Sequence, residues 1–228
     1  MFFSDRIRAI DPKFKVLEIG PGSTPYPRAD EFLEFRFPDL ETAISQRGNV
    51  KINPSFSGRP VHYYEGGRFP FADNAFDYVI ASHVVEHTPN PREFISEVFR
   101  VGGGRGYIEF PLPSYEYLFD LNVHLSYVWF DQADQMLHYV KKSREVLDEF
   151  SGITSELRRG LELGWDDLVR NNLPFFMQGF EFSTPFPVHE EGSVSAYRQR
   201  WENPGTSLAR RVVRKVEALF PQNKGGLR

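Results

Sequence analysis

Residues 16–23 place a carboxylate, Glu18, beside a tight turn that carries two glycines, Gly20 and Gly22. The apolar residues before the turn predict a short strand of a doubly wound sheet, whose C-terminal end faces a ligand. The glycines have no side chain at positions where the backbone must bend sharply and approach that ligand. A carboxylate repels a pyrophosphate but can bind a cation or an amino group, so this turn is poorly suited to a dinucleotide.

The dinucleotide-binding fingerprint also requires a third glycine or alanine, three residues after the second glycine. Pro25 occupies that position and cannot supply close packing of a helix against the strand. With Pro27 two residues later, residues 23–27 are not expected to open a long helix. Taken alone, the two glycines fit a plain structural turn about as well as a binding loop.

A second segment, residues 69–87, joins a turn to a buried strand. Residues 78–81 form the continuous apolar run that is typical of a parallel strand covered on both faces. Asn90 is expected to cap the helix that follows, and residues 102–104 to end it before a further strand over residues 106–111. Strand, helix, glycine turn and strand make one βαβ unit. The residues that start this helix and form its apolar face are Pro91, Glu93, Phe94, Ile95, Val98 and Phe99.

In this order and at this separation, the two segments resemble the class I S-adenosylmethionine-dependent methyltransferases, and most closely the type 11 methyltransferase domains of bacterial origin. The resemblance covers residues 13–113 and departs from the family at Thr24, where a third glycine is common. It implies a Rossmann-like, doubly wound α/β fold, with a mostly parallel seven-stranded sheet, helices on both faces and an antiparallel last strand. It also implies S-adenosylmethionine as the cofactor and S-adenosylhomocysteine as the product. The motifs that carry it are residues 17–22, 69–71, 76–79 and 82–87.

The resemblance implies that the methionine end of the cofactor lies against the first turn, where Glu18 binds its amino group directly or through water. Glu34, at the expected end of the second strand, would bind the ribose, because a carboxylate accepts hydrogen bonds from two adjacent hydroxyls. Glu65, after a third strand over residues 61–64, would face the adenine amino group. Without the resemblance, both acids fit solvated strand ends better. The complete set of implied cofactor-binding residues is Glu18, Gly20, Pro21, Gly22, Glu34, Glu65, Ala81, Ser82 and His83.

Residues 83–87 also spell the pattern H-x-x-E-H, which occurs in one class of zinc enzyme. Zinc binding there needs both histidines on one face of a helix, together with a third ligand. His83 directly follows a predicted strand, so the helical context is missing at the start of the pattern. We therefore expect no metal site, and we expect His83 and His87 to shape the cofactor pocket or to hydrogen-bond the backbone.

The whole chain has 228 residues, which is enough for one large domain with a substantial core. Its net charge of -4 argues against a general nucleic-acid binder, and the absence of cysteine excludes disulfides and thiolate chemistry. No apolar run is long enough to span a bilayer, and the N-terminus lacks the layout of a signal peptide. We expect a single cytoplasmic domain over residues 1–228 that binds no nucleic acid and does not insert stably into a membrane.

Residues 114–191 differ from the cofactor-binding core over residues 13–113, because an aromatic-rich stretch replaces the glycine turns. We assign residues 114–191 mainly to the substrate side, with a sixth strand over residues 136–141, a helical region over 143–168 and a last strand near 180–183. Most of the aromatic residues are nevertheless expected to be core, because aromatic side chains dominate core packing.

Residues 207–220 predict an amphipathic helix, in which an apolar stripe lies beside a basic face. Docking on the domain or on a second subunit, as in a homodimer, is favoured over docking on an anionic membrane, because one short helix with four cations binds membranes weakly. The stripe comprises Leu208, Val212, Val216 and Leu219, and the basic face comprises Arg210, Arg211, Arg214 and Lys215.

The predicted reaction is methyl transfer to an oxygen or a nitrogen of a small-molecule acceptor, for example a sugar, a lipid or a secondary metabolite. The sulfonium already activates the methyl group, so the protein mainly has to align the acceptor. Glu109, Tyr115 and His124 are expected to bind the acceptor. Where the acceptor is a hydroxyl, the candidate bases are His124, which we favour, His83 and Glu109. The alternative is an S-adenosylmethionine-binding regulatory or scaffolding protein without methyl transfer. A nicotinamide-dependent reductase is disfavoured by the first turn.

Overall fold

The computed structural model describes residues 1–46, 54–143, 151–162 and 167–197. The chain divides into two compact units, Met1–Gly192 and Ser193–Arg228. Of the second unit only residues 193–197 are described, and they contain one helical turn. The helix predicted over residues 207–220 lies outside the described residues.

Nine strands are present in the described part of the chain, and six of them form one sheet in the order β3-β2-β1-β4-β5-β8. The first five strands of this sheet are parallel, and β8 pairs with β5 in the antiparallel direction. This is the mostly parallel, Rossmann-like arrangement with an antiparallel last strand that the motifs predicted. The strands are β1 Val16–Ile19, β2 Glu31–Phe35, β3 Val61–Tyr64, β4 Tyr78–Ser82, β5 Gly106–Pro111, β6 Ser126–Asp131, β7 Met136–Lys141, β8 Met177–Phe182 and β9 Val188–Glu190.

The prediction of seven strands in one sheet is wrong for the described residues, because β6, β7 and β9 form a separate three-stranded sheet. The strand predicted over residues 136–141 exists as β7, but it pairs with β6 in the antiparallel direction. Only four residues connect β6 to β7, which is long enough for a hairpin but too short for the crossover that a parallel neighbour requires. The edge of the main sheet beside β5 is taken by β8 instead.

The structure confirms the predicted start and end of the helix after β4. Asn90 caps α2, since its side chain accepts the backbone N–H of Glu93 at 3.3 Å, and Gly102 ends the helix. Residues 20–30 contain no helix between β1 and β2, as the two prolines there predicted. None of the described helices is long and apolar enough to cross a membrane. The helices are α1 Leu40–Gln46, α2 Pro91–Val101, α3 Pro113–Phe119, α4 Ser151–Glu162, α5 Asp167–Arg170 and α6 Leu173–Phe176, with short 3-10 helices at Ser4–Arg6 and Val85–His87.

The register of the central strands brings the candidate site residues to one edge of the sheet. Ile19 at the end of β1 lies opposite both Leu33 of β2 and Ala81 of β4. Ser82 at the end of β4 lies opposite Glu109 of β5. All residues of β1 and β5 are buried, so these strands form the rigid floor from which the turns at their C-terminal ends project.

Candidate active site

A cavity of about 750 Å³ lies at the C-terminal ends of β1, β2 and β4. Both predicted motifs line it, because the first turn and the loop after β4 meet at this edge of the sheet. Ala81 and Glu109 are buried in the strands and do not line it. The predicted site residues that do line it are Glu18, Gly20, Pro21, Gly22, Glu34, Glu65, Ser82, His83, Tyr115 and His124.

Glu18 is a buried acid at the floor of the first turn, with 3% of its surface exposed. Its Oε2 atom accepts the backbone N–H of Tyr26 at 2.7 Å. Burial raises the pKa of Glu18 to about 7, and the hydrogen bond from Tyr26 offsets this only in part. A bound cation, such as a protonated amino group, would lower this pKa and keep the carboxyl group ionised.

The two glycines of the turn serve different purposes, although both have φ near +60°. A Cβ atom at Gly20 would stand 2.7 Å from Cγ2 of Val84, so this glycine allows the first turn to pack against the loop after β4. A Cβ atom at Gly22 would meet nothing within 4 Å. Gly22 therefore faces the open cavity. Glycine is favoured there only because the backbone is left-handed.

Glu34 and Glu65 differ sharply in their surroundings. Glu34, in β2, is 4% exposed and borders the cavity, so its carboxylate does not have the setting of a solvated strand-end acid. The side chain of Glu65 is 77% exposed and pairs with Arg36, with 3.4 Å between Oε1 and Nε. The role predicted for Glu34 therefore gains support, whereas Glu65 has the surroundings of a solvated acid. The cavity near these acids is bordered by the aromatic residues Phe35, Phe37, Tyr64 and Phe69.

Glu109 is fully buried and accepts hydrogen bonds from several groups at once. Its carboxylate binds the hydroxyl of Ser82 at 3.1 Å, the hydroxyl of Tyr107 at 2.6 Å and Nε2 of His83 at 2.9 Å. It also accepts the backbone N–H groups of Phe2 and Phe3, at 2.7 and 2.9 Å. The predicted contact of Glu109 with the acceptor is disfavoured, because its oxygens already hold the N-terminal segment and the loop after β4.

His83 follows β4 with a left-handed backbone, at φ 57°. Burial would lower the pKa of His83, but the hydrogen bond to Glu109 and the negative charges of Glu109 and Glu86 raise it to about 9. Burial would likewise raise the pKa of Glu109, and the paired His83 lowers it to about 2. His83 therefore carries a positive charge at neutral pH, which argues against its predicted role as a base.

His124, the favoured candidate base, is buried where the cavity meets the segment after α3. Its Nδ1 atom lies 2.5 Å from Oε1 of the fully buried Glu116. The other oxygen of Glu116 accepts a hydrogen bond from Nζ of Lys142 at 2.8 Å. Glu116 thus fixes the ring orientation of His124 and leaves Nε2 as the nitrogen available for chemistry.

A third histidine of the site, His87, lies beside His124, with 4.5 Å between the ring centroids. Its Nδ1 atom hydrogen-bonds to Oε1 of Gln46 at 2.9 Å. Burial lowers the pKa of His87 to about 4, so this imidazole is neutral. The neighbouring Glu86 has no exposed surface. Burial would raise the pKa of Glu86, but the positively charged His83 outweighs burial and lowers that pKa.

The remaining wall beside the histidines is mostly apolar. Tyr115 borders the cavity as predicted, and its ring packs against Phe119 with 4.7 Å between centroids. Most of the other described aromatic residues after residue 113 pack in the interior, as expected: the ring of Phe130, for example, stacks on that of Phe180 at 4.0 Å. The apolar neighbours of Tyr115 in the wall are Pro111, Leu121, Val123, Leu125 and Met177.

The sequence did not reveal several residues that support the site. Glu116 and Lys142 hold His124 in place but belong to no recognisable motif. Phe2 packs its ring edge against His83, with 5.4 Å between the centroids, and borders the cavity. Of the supporting residues discussed, only His87 belongs to a sequence pattern, H-x-x-E-H, that could have identified it.

Comparison with known proteins supports the class of domain that the motifs indicated. Residues 39–110 match the family model of a methyltransferase domain. No curated protein matches the sequence. This match supports the methyltransferase resemblance over β3 to β5, and with it S-adenosylmethionine as the implied cofactor.

Solved structures with similarity to the chain include a protein from Thermotoga maritima, described as a possible histamine N-methyltransferase. It is 18% identical, with 47% of this chain and 48% of that chain covered and a TM-score of 0.33. A protein from Pyrococcus horikoshii OT3 is 19% identical, with 54% and 60% covered and a TM-score of 0.33. The cyclase SpnF is 16% identical, with 80% and 79% covered and a TM-score of 0.41.

The chain spans about half the length of the first of these structures. With TM-scores below 0.5, the three similarities do not bear on what this chain acts on. The family match covers 72 of the 228 residues, and it agrees with the resemblance to the type 11 methyltransferase domains that the motifs indicate.

Proposed function

We propose that this protein transfers a methyl group from S-adenosylmethionine to an oxygen or a nitrogen of a small-molecule acceptor. The observation that carries the proposal is the continuity of one cavity. It joins the buried acids Glu18 and Glu34 at the ends of β1 and β2 to the histidines His83, His87 and His124. One end has the donors and acceptors that the cofactor needs, and the other offers a partly apolar chamber for a second molecule.

The residues at the cofactor end fit the chemistry of S-adenosylmethionine. The buried carboxylate of Glu18 would bind the amino group, and that of Glu34 would accept hydrogen bonds from the ribose hydroxyls. The aromatic rings of Tyr64 and Phe69 offer flat apolar surfaces for the adenine. When bound, S-adenosylmethionine supplies an electrophilic methyl group, and its transfer leaves S-adenosylhomocysteine as the product.

The residues at the acceptor end would align the second molecule and exclude water. The apolar wall around Tyr115 would bury a ring or an alkyl part of the acceptor, and alignment alone accounts for much of the barrier reduction in such a reaction. His83 contributes a fixed positive charge, because the carboxylate of Glu109 accepts a hydrogen bond from its ring and stabilises the protonated imidazole. His124 presents Nε2, which is the atom suited to take the proton of a hydroxyl acceptor.

Two measurements test the proposal. Thermal unfolding with S-adenosylhomocysteine should raise the melting temperature, and NAD should leave it unchanged, because only a ligand of the native state stabilises it. Incubation with methyl-labelled S-adenosylmethionine and a panel of sugars, phenols, lipids and amines should then label at least one acceptor. Cofactor binding without transfer to any acceptor of the panel would favour the regulatory or scaffolding alternative. Stabilisation by NAD alone would overturn the proposal.

A further inference from the structure

Glu86 is a buried carboxylate that lacks hydrogen-bond partners. It has no exposed surface, and neither Oε1 nor Oε2 accepts a hydrogen bond from any residue that the structure describes. Two imidazole nitrogens face it: Nδ1 of His83 lies 3.4 Å from Oε1, and Nε2 of His87 lies 4.0 Å from the same oxygen. His83 offers this carboxylate a positive charge but no hydrogen bond, and because buried carboxylates are normally hydrogen-bonded, its two oxygens remain open to a ligand.

Two imidazole nitrogens point to the nature of that ligand. One ligand atom each of Glu86, His87 and His124 lie within 4.8 Å of one another. In both histidines Nδ1 is engaged, with Gln46 for His87 and with Glu116 for His124, which leaves the two Nε2 atoms available. Metal-ligating histidines are oriented in this way, through a hydrogen bond from the second ring nitrogen to a carboxylate or an amide oxygen.

We propose that Glu86, His87 and His124 bind a divalent transition-metal ion at the histidine end of the cavity. Two imidazoles and one carboxylate are a ligand set of catalytic zinc and of related ions, and this set leaves coordination positions for a substrate. Tetrahedral bonds of about 2.0–2.2 Å set ligand atoms about 3.3–3.6 Å from one another, so atoms 4.8 Å apart would need to approach by about 1.2–1.5 Å.

The pattern H-x-x-E-H predicted no site because His83 and His87 do not share a helix, and they do not do so in the structure. The ligand set differs from that pattern. His83 is held by Glu109, and its place is taken by His124, which comes from the segment after α3. A short 3-10 helix presents Glu86 and His87 in succession, and the fold supplies the third ligand.

The metal also indicates a class of acceptor, an inference that rests on the proposed methyl transfer. A hydroxyl oxygen of the acceptor would occupy an open metal position, because the ion favours an oxygen ligand and makes its proton easier to lose. The proton leaves to water, the oxygen bonds to the methyl carbon, and the electron pair of the broken carbon–sulfur bond remains on sulfur. His124 would then act as a metal ligand instead of a base, and the acceptor would be a hydroxyl compound.

Metal binding is tested without any acceptor. Chelator-treated protein is titrated with zinc by calorimetry, and we expect one ion per chain. His87→Gln and His124→Gln should each reduce the affinity at least a hundredfold. Glu116→Gln, which weakens the hydrogen bond that orients His124 and also removes the charge that faces Lys142, should reduce it about 10- to 100-fold. The control is His62→Gln, which removes an imidazole that pairs with Glu31 and does not line the cavity, so it should leave zinc binding unchanged.

The same titration can overturn the metal site. The metal site is contradicted if neither zinc nor manganese binds stoichiometrically. It is also contradicted if binding is unchanged in both histidine variants. Glu86→Gln is a further variant, but the partly exposed His87 makes the test independent of whether a buried substitution folds.

The acceptor class is tested separately, by methyl transfer after chelation and after zinc is restored. Transfer to a hydroxyl acceptor should fall at least tenfold on chelation and recover with zinc. Transfer that is unaffected by chelation would overturn the acceptor class while leaving the metal site standing. Zinc binding with no transfer to any acceptor would count against the proposed function instead.

Discussion

The side chain of Val84 fills the space that a Cβ atom at Gly20 would need, with 2.7 Å between that atom and Cγ2. The first glycine turn and the loop after β4 are therefore packed directly against each other. The two motifs form a single structural unit, in which the backbone of the turn and the position of the histidine loop depend on the same contact.

This contact predicts that Gly20→Ala is more harmful than Gly22→Ala. Both substitutions place alanine at φ near +60°, which costs about 1–2 kcal/mol, but only the first adds a clash with Val84. Urea unfolding should show the larger loss for Gly20→Ala. The double variant Gly20→Ala with Val84→Ala should recover part of the difference, and additive losses would contradict the packing argument.

Glu34→Ala is predicted to weaken binding of S-adenosylhomocysteine at least tenfold. The variant loses a charge-assisted contact with two hydroxyls, worth about 1.5–3 kcal/mol. Glu65→Ala is the matched control, because its side chain is 77% exposed and pairs with Arg36 at the surface. Calorimetry on both variants decides the question: equal losses, or no loss for Glu34→Ala, would mean that the ribose lies elsewhere.

Cofactor binding should depend on pH through Glu18, whose pKa is raised to about 7. An amino group binds the ionised carboxylate, so binding below pH 7 requires the loss of a proton, and the affinity should rise about tenfold from pH 6 to pH 8. Glu18→Gln should bind more weakly and with a flat profile over this range. A profile for Glu18→Gln that matches the wild type would assign the titration to another group.

The same raised pKa has a consequence for stability, with a definite sign. The folded state binds the proton of Glu18 more tightly than the unfolded state, in which the pKa is near the ordinary 4.5. The free energy of unfolding should therefore fall as the pH rises from about 4.5 to about 7, because the buried group must ionise. Glu18→Gln should lessen this fall in urea unfolding without ligand.

The sequence predicted the strands and turns of the cofactor half because their signals are local. Apolar runs mark β1 and β4, Asn90 and Pro91 mark the start of α2, and these features need no knowledge of distant residues. The placement of β7 in a second sheet could not be predicted in this way. It depends on which strand pairs with β5 at the edge of the main sheet, and this pairing is determined by packing between segments that are far apart in the chain.

The partners of the buried acids were also beyond local reasoning. Glu109 is held by Phe2 and Phe3, which lie more than a hundred residues away in sequence. Glu116 and Lys142, which hold His124, come from different elements and show no spacing pattern. An acid in a strand looks the same in the sequence whether it contacts a substrate or an internal hydrogen-bond network.

Glu109→Ala is predicted to lower the free energy of unfolding by about 3–5 kcal/mol, because it leaves His83 and the hydroxyl of Tyr107 buried without their acceptor. Urea unfolding measures this loss. Glu156→Ala, on the exposed face of α4, provides the control and should change stability by less than about 0.5 kcal/mol. A loss for Glu109→Ala as small as that of the control would show that its hydrogen bonds contribute little.

His124→Gln should reduce turnover roughly a hundredfold or more while leaving the affinity for S-adenosylhomocysteine unchanged. The ring borders the cavity but lies outside the acid-and-glycine turn, so its loss should affect the acceptor's proton and not the cofactor. Glutamine cannot reproduce the aromatic nitrogen at Nε2, whether that atom takes a proton or binds a metal. The measurement is labelled-methyl transfer at saturating cofactor, with His62→Gln as the control. Turnover of His124→Gln within threefold of the wild type would show that alignment of the acceptor alone accounts for catalysis, and that the hydrogen bond from Glu116 serves only to hold the fold.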